Sequence, residues 1–247
     1  MAPGAPKKPL RIVIHGTGRM GRSLCDAAAE RDGLRIDALV GPVRPDWELP
    51  PATAWAPTLD ELGELPGLVI DFTLPDGTRA AAEWCTRQGV PLLSGVTGLP
   101  AATLELLRRC GESVPVLWSP NLSLGVNLLA DLAARAAAVL DPGAPVWIED
   151  LHHRWKQDAP SGTALMLGAV IAARRGGDDS GIQYHSRREG EAIGEHLVRF
   201  TLAGEEIEMR HRAGDRGIYA RGALEAGLWL AGQAPGLYSA ADWLASA

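Results

Sequence analysis

The stretch "LRIVIHGTGRMGRSL" at residues 10–24 constrains the fold more than any other part of the sequence. Its first half is a short β-branched run, which predicts a buried strand. Gly16, Gly18 and Gly21 then form the pattern G-x-G-x-x-G at the start of a predicted helix. Glycines in this setting permit a tight turn and bring helix N-terminal N–H groups against a pyrophosphate. We expect a dinucleotide-binding turn here, and a ligand-free strand–helix turn that merely tolerates glycine is the alternative.

The rest of the N-terminal half alternates short apolar runs with helix-forming segments. After the strand over 10–16, strands are predicted over 34–41, 67–73, 90–98 and 114–121, and helices over 19–33, 77–88 and 100–110. Such alternation indicates βαβ units and a parallel sheet covered by helices on both faces. The proline-rich segment 41–57 is predicted to be irregular. We therefore expect an α/β, Rossmann-like, doubly wound domain over residues 9–122, after a flexible tail at residues 1–8.

The pattern changes after residue 122. Helices are predicted over 123–141, 161–177, 222–232 and 238–246, a strand over 144–155, and a hairpin over 196–212. The hairpin is expected to turn at Ala203-Gly204. Residues 123–232 are thus predicted to form an α+β domain with a mixed or antiparallel sheet, and residues 233–247 to pack back on the first domain.

Composition excludes several functional classes. The net charge of −6 argues against a general nucleic-acid-binding protein. No stretch approaches the ~20 apolar residues of a membrane span, and the N-terminal "MAPGAPKKP" does not resemble a signal peptide. Cys25, Cys85 and Cys110 lack metal-binding spacing and are typical of reduced, buried cysteines. We expect a cytoplasmic protein with no bound metal and no nucleic-acid or membrane partner.

The end of the second predicted strand bears on the choice of nucleotide. NAD sites usually place an acidic residue there, about 20 residues after the glycine turn. Here the strand ends in Val40-Gly41, Asp37 lies inside it, and Arg44 follows. Arg44 is positioned to meet a 2′-phosphate, although a solvated loop arginine would look the same. The sequence therefore favours NADPH over NADH.

Two further loops follow predicted strands of the same sheet. "SGVTG" at 94–98 follows the fourth strand and "SPN" at 119–121 follows the fifth. Ligands bind at the carboxyl ends of strands in open α/β sheets. Both loops are therefore candidates to line the nicotinamide side of a dinucleotide site.

The stretch "EDLHHRWKQDAPSGTA" at 149–164 gathers cationic groups in an acidic chain. If residues 146–156 are extended, His152 and Lys156 share one face about 13 Å apart at ~3.3 Å per residue. That spacing suits flanking a small dianion, whereas a bend near Trp155 would bring the two groups closer. Both geometries are open at this stage.

The same stretch contains a helix start. Ser161 is a predicted N-cap, so the first free N–H groups belong to Gly162 and Thr163. These donors and the helix dipole favour a carboxylate. The alternative is a solvated basic strand face beside an ordinary capped helix.

Several motifs resemble one known family. "HHRWKQDAPSGTA" closely matches the E-x-H-H-x-x-K-x-D-x-P-S-G-T-A signature of the dihydrodipicolinate reductases. "GTGRMGRSL", "IDFTLPDGT", "SGVTGL" and "SPNLSLGVN" are similar to other motifs of that family in the same order, and "HRAGDRGIYARGAL" is similar to a late C-terminal segment. The resemblance covers nearly the whole chain.

The resemblance implies NAD(P)H-dependent reduction of 4-hydroxy-tetrahydrodipicolinate to tetrahydrodipicolinate, a step of diaminopimelate and lysine biosynthesis. It implies that His152 donates the proton and that Lys156 is its cationic or proton-donating partner. The substrate carboxylates would contact His153, Ser161, Gly162 and Thr163. The cofactor would be lined by Gly16, Thr17, Gly18, Arg19, Met20, Gly21, Gly95, Val96, Thr97, Ser119, Pro120, Asn121 and Leu122. The family further implies a homotetramer built through the C-terminal sheet.

The sequence departs from the family pattern in two places. The first glycine of the family's G-x-x-G-x-x-G turn falls on His15, and the acidic residue that many members carry after the second strand is missing.

Two other functions are also compatible with parts of the sequence. A Rossmann amino-acid or imino-acid dehydrogenase, such as an aspartate dehydrogenase, would explain the glycine turn and two domains. A nucleotide-sensing protein without catalysis would need neither His152 nor Lys156.

Overall fold

The structure is a computed structural model that describes residues 8–177, 179 and 181–246. The flexible tail predicted over residues 1–8 lies, except for residue 8, outside the described residues. The chain divides into two compact units: one holds residues up to Ser123 and from Tyr219 onward, and the other holds Leu124–Ile218. Within the described part of the chain, no helix is long and apolar enough to cross a membrane.

The first unit is built on a parallel, seven-stranded sheet. Its strands are β1 (Leu10–His15), β2 (Leu34–Val40), β3 (Ala54–Ala56), β4 (Leu68–Asp71), β5 (Leu92–Ser94), β6 (Pro115–Trp118) and β11 (Gly236–Tyr238). They follow the order β11-β6-β5-β4-β1-β2-β3, and every pair is parallel. The chain reverses direction across the sheet beside β1, so the carboxyl end of β1 lies where open α/β sheets bind ligands. The predicted doubly wound, Rossmann-like fold is confirmed.

Helices cover both faces of this sheet. They are α1 (Arg19–Ala29), α2 (Pro75–Gln88), α3 (Ala101–Cys110), α6 (Gly217–Leu230) and the short α7 (Ala240–Ala245). Alternate residues of β1 show the two layers, because Ile12 and Ile14 pack with α1 and α6 whereas Val13 packs with α2 and α3. Side chains fully buried on both faces explain the continuous apolar run that predicted this strand.

Helix α6 corrects the predicted domain boundary. The sequence analysis assigned residues up to 232 to the second domain, with a helix over 222–232. In the structure α6 begins at Gly217, and its buried residues Ala220, Leu224 and Leu230 pack into the same core as Ile12. The boundary therefore lies between Ile218 and Tyr219. The error arose because an apolar helix gives no sign of which sheet it covers.

The second unit has a four-stranded mixed sheet and two long helices. Its elements are α4 (Leu124–Val139), β7 (Val146–His152), α5 (Gly162–Arg175), β8 (Ile182–Arg188), β9 (Glu195–Leu202) and β10 (Glu205–Arg212). The strand order is β10-β9-β7-β8, in which only β7 and β8 pair in parallel. Residues of α4 and α5 pack with Val146, Ile148 and Phe200 to form its core. The predicted mixed sheet and the hairpin at Gly204 are confirmed.

Three strands were not predicted. β3 lies in the proline-rich segment that was expected to be irregular, and β11 is equally short. β8 reads "IQYHSRR", with only one strongly apolar residue, so its pattern gave no strand signal. The predicted strand over 144–155 is also shorter in the structure, since β7 ends at His152.

Strand β8 completes a β7–α5–β8 unit. Parallel neighbours need a crossover connection, and α5 supplies it. The N-terminus of α5 therefore lies near the carboxyl end of β7, where His152 is the last strand residue. This arrangement places the start of α5 beside His152 and His153.

Candidate active site

The three glycines of the turn between β1 and α1 have two distinct roles. Gly16 has φ +127°, and a Cβ there would lie 2.8 Å from the backbone oxygen of Phe72. A Cβ on Gly21 would lie 2.2 Å from the backbone oxygen of Gly16, whereas one on Gly18 would meet nothing within 4 Å. Gly16 and Gly21 thus serve the turn itself, and Gly18 leaves open space at the start of α1.

The start of α1 is free of side-chain capping. Gly18 is its N-cap and provides no side-chain hydrogen bond, and the first turn contains no acidic residue. Uncapped N–H groups at a helix N-terminus are a site for phosphate oxygens. The turn formed by Gly16 to Gly21 therefore fits the pyrophosphate of a dinucleotide.

Asp71 at the end of β4 supports the neighbouring loops. Its carboxylate is fully buried and accepts hydrogen bonds from Thr73 Oγ1 at 2.6 Å, Thr78 Oγ1 at 2.7 Å and Ser94 Oγ at 3.0 Å. His15 Nδ1 lies 3.3 Å from the same carboxylate. Asp71 therefore joins the ends of β1, β4 and β5 to the start of α2. Sequence analysis missed this residue because a strand-end aspartate is common.

The predicted loops at the carboxyl ends of β5 and β6 are joined to each other. Ser119 N donates to Ser94 O at 3.1 Å, and Trp118 Nε1 donates to Val96 O at 2.9 Å. Ser119 Oγ donates to Asn121 O at 2.7 Å. These hydrogen bonds hold the two loops next to each other. Leu122 is 2% exposed within the core, so its side chain is not available to a ligand.

The remaining predicted cofactor residues lie around the glycine turn. Arg19 is exposed at the first position of α1, and Met20 packs against the core. The side chain of Thr17 approaches the end of β2, because a Cβ on Gly41 would lie 3.0 Å from Thr17 Cγ2. Arg44 is exposed in the following loop.

Asp37 lies inside β2, before its carboxyl end, and forms ion pairs with two arginines. Its carboxylate accepts from Arg11 Nε at 2.5 Å and from Arg35 Nε at 2.6 Å. Burial raises its pKa, but the hydrogen bonds from the two arginines outweigh this effect and hold the pKa below its usual value. Asp37 is therefore an ion-pair partner, and Val40 and Gly41 form the strand end.

A row of polar side chains crosses the second sheet on its buried face. The strand register pairs His211 of β10 with His196 of β9, His196 with Asp150 of β7, and Asp150 with Ser186 of β8. In β7 the burial alternates, so Asp150 and His152 face the same side as Val146 and Ile148. On this face of β7, the apolar residues Val146 and Ile148 are thus followed by the polar residues Asp150 and His152, up to the end of the strand.

Asp150 is the centre of this row. It is 1% exposed and its carboxylate contacts His152 Nδ1 at 3.0 Å, Ser186 Oγ at 2.6 Å and Arg188 Nη1 at 2.8 Å. Ser161 N donates to it at 3.4 Å. Burial alone would raise the pKa of Asp150, but the hydrogen bonds from His152 and Ser186 and the charge of Arg188 hold it well below its usual value. An ionised Asp150 accepts the proton of His152 Nδ1, which leaves Nε2 as the second ring nitrogen.

The environment of the neighbouring His196 disfavours a proton on its ring. It is 4% exposed, and its ring lies edge-on to that of His152 at 5.2 Å between centroids. Burial, together with repulsion from a charged His152, lowers the pKa of His196 to about 3. The pKa of His211, stacked at 6.3 Å on the other side, is also lowered by burial. His196 and His211 therefore stay neutral at neutral pH.

The segment after His152 bends. Lys156 N donates to His153 O at 3.1 Å, so residues 153–156 form a turn and the extended geometry allowed by the sequence is wrong. Lys156 Nζ lies 2.7 Å from Asp158 Oδ1, and the hydrogen bond from Lys156 lowers the pKa of Asp158. His153 is half-buried, with its ring 5.9 Å from that of Trp155.

Ser161 is the N-cap of α5, as predicted. Its Oγ accepts from Ala164 N at 3.2 Å and lies 3.3 Å from His196 Nε2. A backbone hydrogen bond from Gly162 contributes to the lowered pKa of Asp158, so a carboxylate already lies at this helix start. Thr163 follows in the first turn of α5 and is half-buried.

Sequence analysis did not select Asp150, Ser186, Arg188, His196 or His211. The period-two pattern of an extended β7 places Asp150 and His152 on one face, but it does not show that the two side chains are in contact. Arg188 and Ser186 could not be found, because β8 was not predicted. Among the described residues, no group of three or more His, Cys, Asp or Glu side chains is arranged to hold a metal ion.

Comparisons with known proteins agree on one family. The sequence model "Dihydrodipicolinate reductase, N-terminus" matches residues 10–122, and "Dihydrodipicolinate reductase, C-terminus" matches residues 125–244. A 4-hydroxy-tetrahydrodipicolinate reductase of Stenotrophomonas maltophilia is 44% identical over 96% of this chain and 98% of its own length. One from Xanthomonas campestris pv. campestris is 41% identical over 95% and 97%.

A solved structure shows the same fold. The dipicolinate-bound dihydrodipicolinate reductase from Paenisporosarcina sp. TG-14 superposes with a TM-score of 0.82 over 94% of this chain and 97% of that one, at 22% identity. Taken together, the two family matches and the relatives above 40% identity show that this chain belongs to the dihydrodipicolinate reductase family.

Proposed function

We propose that this chain reduces 4-hydroxy-tetrahydrodipicolinate to tetrahydrodipicolinate, with His152 as proton donor and Lys156 as cationic partner. Membership of the family supports the reaction, and the curated relatives carry the name of that reductase. The observation that carries the assignment of His152 is its hydrogen bond to the buried, ionised Asp150.

Electrostatics distinguish His152 from its neighbours His196 and His211. A proton donor at neutral pH must hold a proton that it can release, and a nearby negative charge favours the protonated ring. His152 has Asp150 at 3.0 Å, whereas burial lowers the pKa values of His196 and His211. Histidines with opposite environments thus have different roles, one as donor and the others as neutral neighbours.

The substrate is proposed to bind between the turn and the helix start. Lys156 and the N–H of Gly162 already share the carboxylate of Asp158, which supports a preference of these groups for carboxylates. We assign the substrate carboxylates to Lys156, His153, Ser161, Gly162 and Thr163. Fixed cations and helix N–H groups there would stabilise the negative charge that develops on the imine during reduction.

The cofactor is a pyridine nucleotide, in agreement with the N-terminal family match. Reduced nicotinamide supplies the hydride when bound. Gly16 to Gly21 are assigned to the pyrophosphate, and Gly95 to Thr97 with Ser119 to Leu122 to the remainder, where Leu122 acts through its backbone. We propose NADPH as the preferred form, because β2 ends without a carboxylate and Arg44 is exposed just beyond it.

The assembly and the location are proposed from the same family resemblance. We assign a homotetramer formed through the second sheet, and a cytoplasmic location. Light scattering on the purified protein tests the assembly, and a mass of one or two chains would contradict it.

A coupled absorbance assay tests the proposed function. Purified protein with NADPH and freshly synthesised 4-hydroxy-tetrahydrodipicolinate should consume the reduced cofactor. Oxidation of NADPH or NADH only with an imino acid derived from aspartate would instead support the amino-acid dehydrogenase alternative. Cofactor binding without turnover on any substrate would support the nucleotide-sensing alternative.

A further inference from the structure

We propose that the ion pair between Asp150 and Arg188 positions both reacting groups: His152 through Asp150, and the turn that carries Lys156 through Arg188. The inference rests on the proposed function, since it assumes that His152 and Lys156 act on the substrate. Neither Asp150 nor Arg188 touches the substrate in this assignment, so both are positioning residues.

The positioning of His152, which is the first half of the proposal, follows from the contacts of Asp150. This carboxylate binds His152 Nδ1, and its other oxygen accepts from Ser186 Oγ and from the backbone N–H of Ser161. A ring held at Nδ1 keeps one tautomer and one orientation. Because Ser161 also caps α5, the same carboxylate fixes the histidine and the helix start relative to each other.

The second half is the contact set of Arg188. Its Nη1 lies 2.8 Å from Asp150 Oδ1, and its Nη2 donates to the backbone oxygen of Asp158. The side chain of Arg188 is 17% exposed, so the interaction is largely shielded from water. Asp158 in turn pairs with Lys156 Nζ. One guanidinium therefore links the buried acid of β7 to the turn that holds the lysine.

The groups facing His152 determine the expected effect of pH. They are Asp150 on its own strand, His196 on β9 with His211 behind it, and Arg188 on β8, and Lys156 is close enough to act on His196. The charge of Asp158 is paired with Lys156, so Asp150 is the direct carboxylate partner of the ring. Asp150→Asn removes the negative charge beside His152 Nδ1 and leaves the cationic neighbours in place.

Asp150→Asn tests the first half. We expect kcat to fall by about 10- to 100-fold, part of the roughly 10²–10⁴-fold that a general acid contributes. The alkaline limb of the kcat profile should move to lower pH by about one unit, the scale of one close ionic partner. Asp150→Glu should restore part of the activity and move the limb back. A loss of activity with an unshifted profile would show a merely structural role and overturn the inference.

Arg188→Met tests the second half. We expect KM for the substrate to rise by about 10-fold, on the scale of a lost charge-assisted contact, with a smaller shift of the pH profile than in Asp150→Asn. Arg187→Met is the matched control, because Arg187 pairs with Glu189 and Glu149 and is 41% exposed. Equal effects of the two arginine variants on KM would overturn the link to the turn. Cofactor affinity should stay unchanged in both.

A measurement on the wild-type protein avoids dependence on variants that fail to fold. Long-range ¹H–¹⁵N NMR of ¹⁵N-histidine protein should show His152 at alkaline pH with its proton on Nδ1, assigned by comparison with His152→Gln. A proton on Nε2 would overturn the role of Asp150. If the wild type shows the Nδ1 proton but reduces no substrate, the proposed function fails while this positioning stands.

Discussion

The glycine turn of the first unit and the row of Ser186, Asp150, His196 and His211 in the second unit offer different kinds of polar groups. The turn offers backbone N–H groups, and a Cβ at Gly16 or Gly21 would clash with fixed backbone atoms. The row offers titratable side chains held by one buried carboxylate, Asp150. Backbone donors keep their polarity at every pH, whereas an imidazole ring can take up and release a proton. The first arrangement suits holding a ligand, and the second suits moving a proton.

Replacement of His152 is expected to have the largest effect, a loss of kcat with NADPH affinity retained. His152→Ala is expected to lower kcat by roughly 10²–10⁴-fold, the usual contribution of a general acid. Lys156→Ala should also lower kcat strongly, because a cation that stabilises developing charge is lost. NADPH affinity, measured by fluorescence titration, should stay near the wild-type value in both. His185→Ala is the control, since His185 is exposed and its ring lies 5.4 Å from that of Trp147. Loss of NADPH binding in the His152 variant would contradict the separation of roles.

Glycine variants should separate turn geometry from ligand space. Gly21→Ala places a Cβ 2.2 Å from a backbone oxygen, so it should destabilise the protein by about 1–3 kcal/mol and weaken NADPH binding. Gly18→Ala has nothing within 4 Å, so it should leave urea unfolding nearly unchanged and still weaken NADPH binding. Equal stability of the two variants would contradict the roles assigned to the two glycines.

His196 makes the second unit acid-sensitive. Its pKa is lowered to about 3 in the folded protein, from about 6.5 when exposed, so only the unfolded state takes up a proton between these values. Stability should therefore fall as pH decreases from 6.5 to 4.5, by roughly 2–3 kcal/mol from this residue at 1.36 kcal/mol per unit. His196→Asn should reduce that slope in urea unfolding measured at the two pH values. An unchanged slope would show that His196 is not buried in its neutral form.

Arg44 should have the smallest effect, confined to cofactor choice. Arg44→Ala is expected to weaken NADPH by about 10-fold and NADH little, because an exposed arginine–phosphate contact contributes on the order of 1 kcal/mol. Titration with both cofactors measures the ratio. Equal weakening of NADPH and NADH binding would show that Arg44 does not contact the 2′-phosphate.

Local sequence predicted the first unit well because its signals are local. Strands β1, β2, β4, β5 and β6 are short apolar runs, and the turn residues Gly16, Gly18 and Gly21 lie close together in the chain, whereas the short strands β3 and β11 were missed. The boundary at Ile218 was missed, because the core partner of α6 is set by long-range packing.

The candidate site of the second unit was predicted only in part. His152, Lys156 and Ser161 lie within one motif, so their proximity follows from the chain itself. Arg188 and His196 reach Asp150 through strand register, which depends on pairing between distant segments. The turn at 153–156 was open for a similar reason, because a β-strand and a turn fit the same short polar sequence.

The double hold of Asp150 on His152 and on Ser161 has a consequence for how this protein can change over evolution. Both ends of segment 153–160 are anchored at one carboxylate, by Nδ1 of His152 on one side and by the backbone N–H of Ser161 on the other. Residues between two fixed anchors can be exchanged without displacing either end. Exchange of side chains in the segment other than His153, Lys156 and Asp158 would therefore change the surface of the turn while His152 and Ser161 keep their positions.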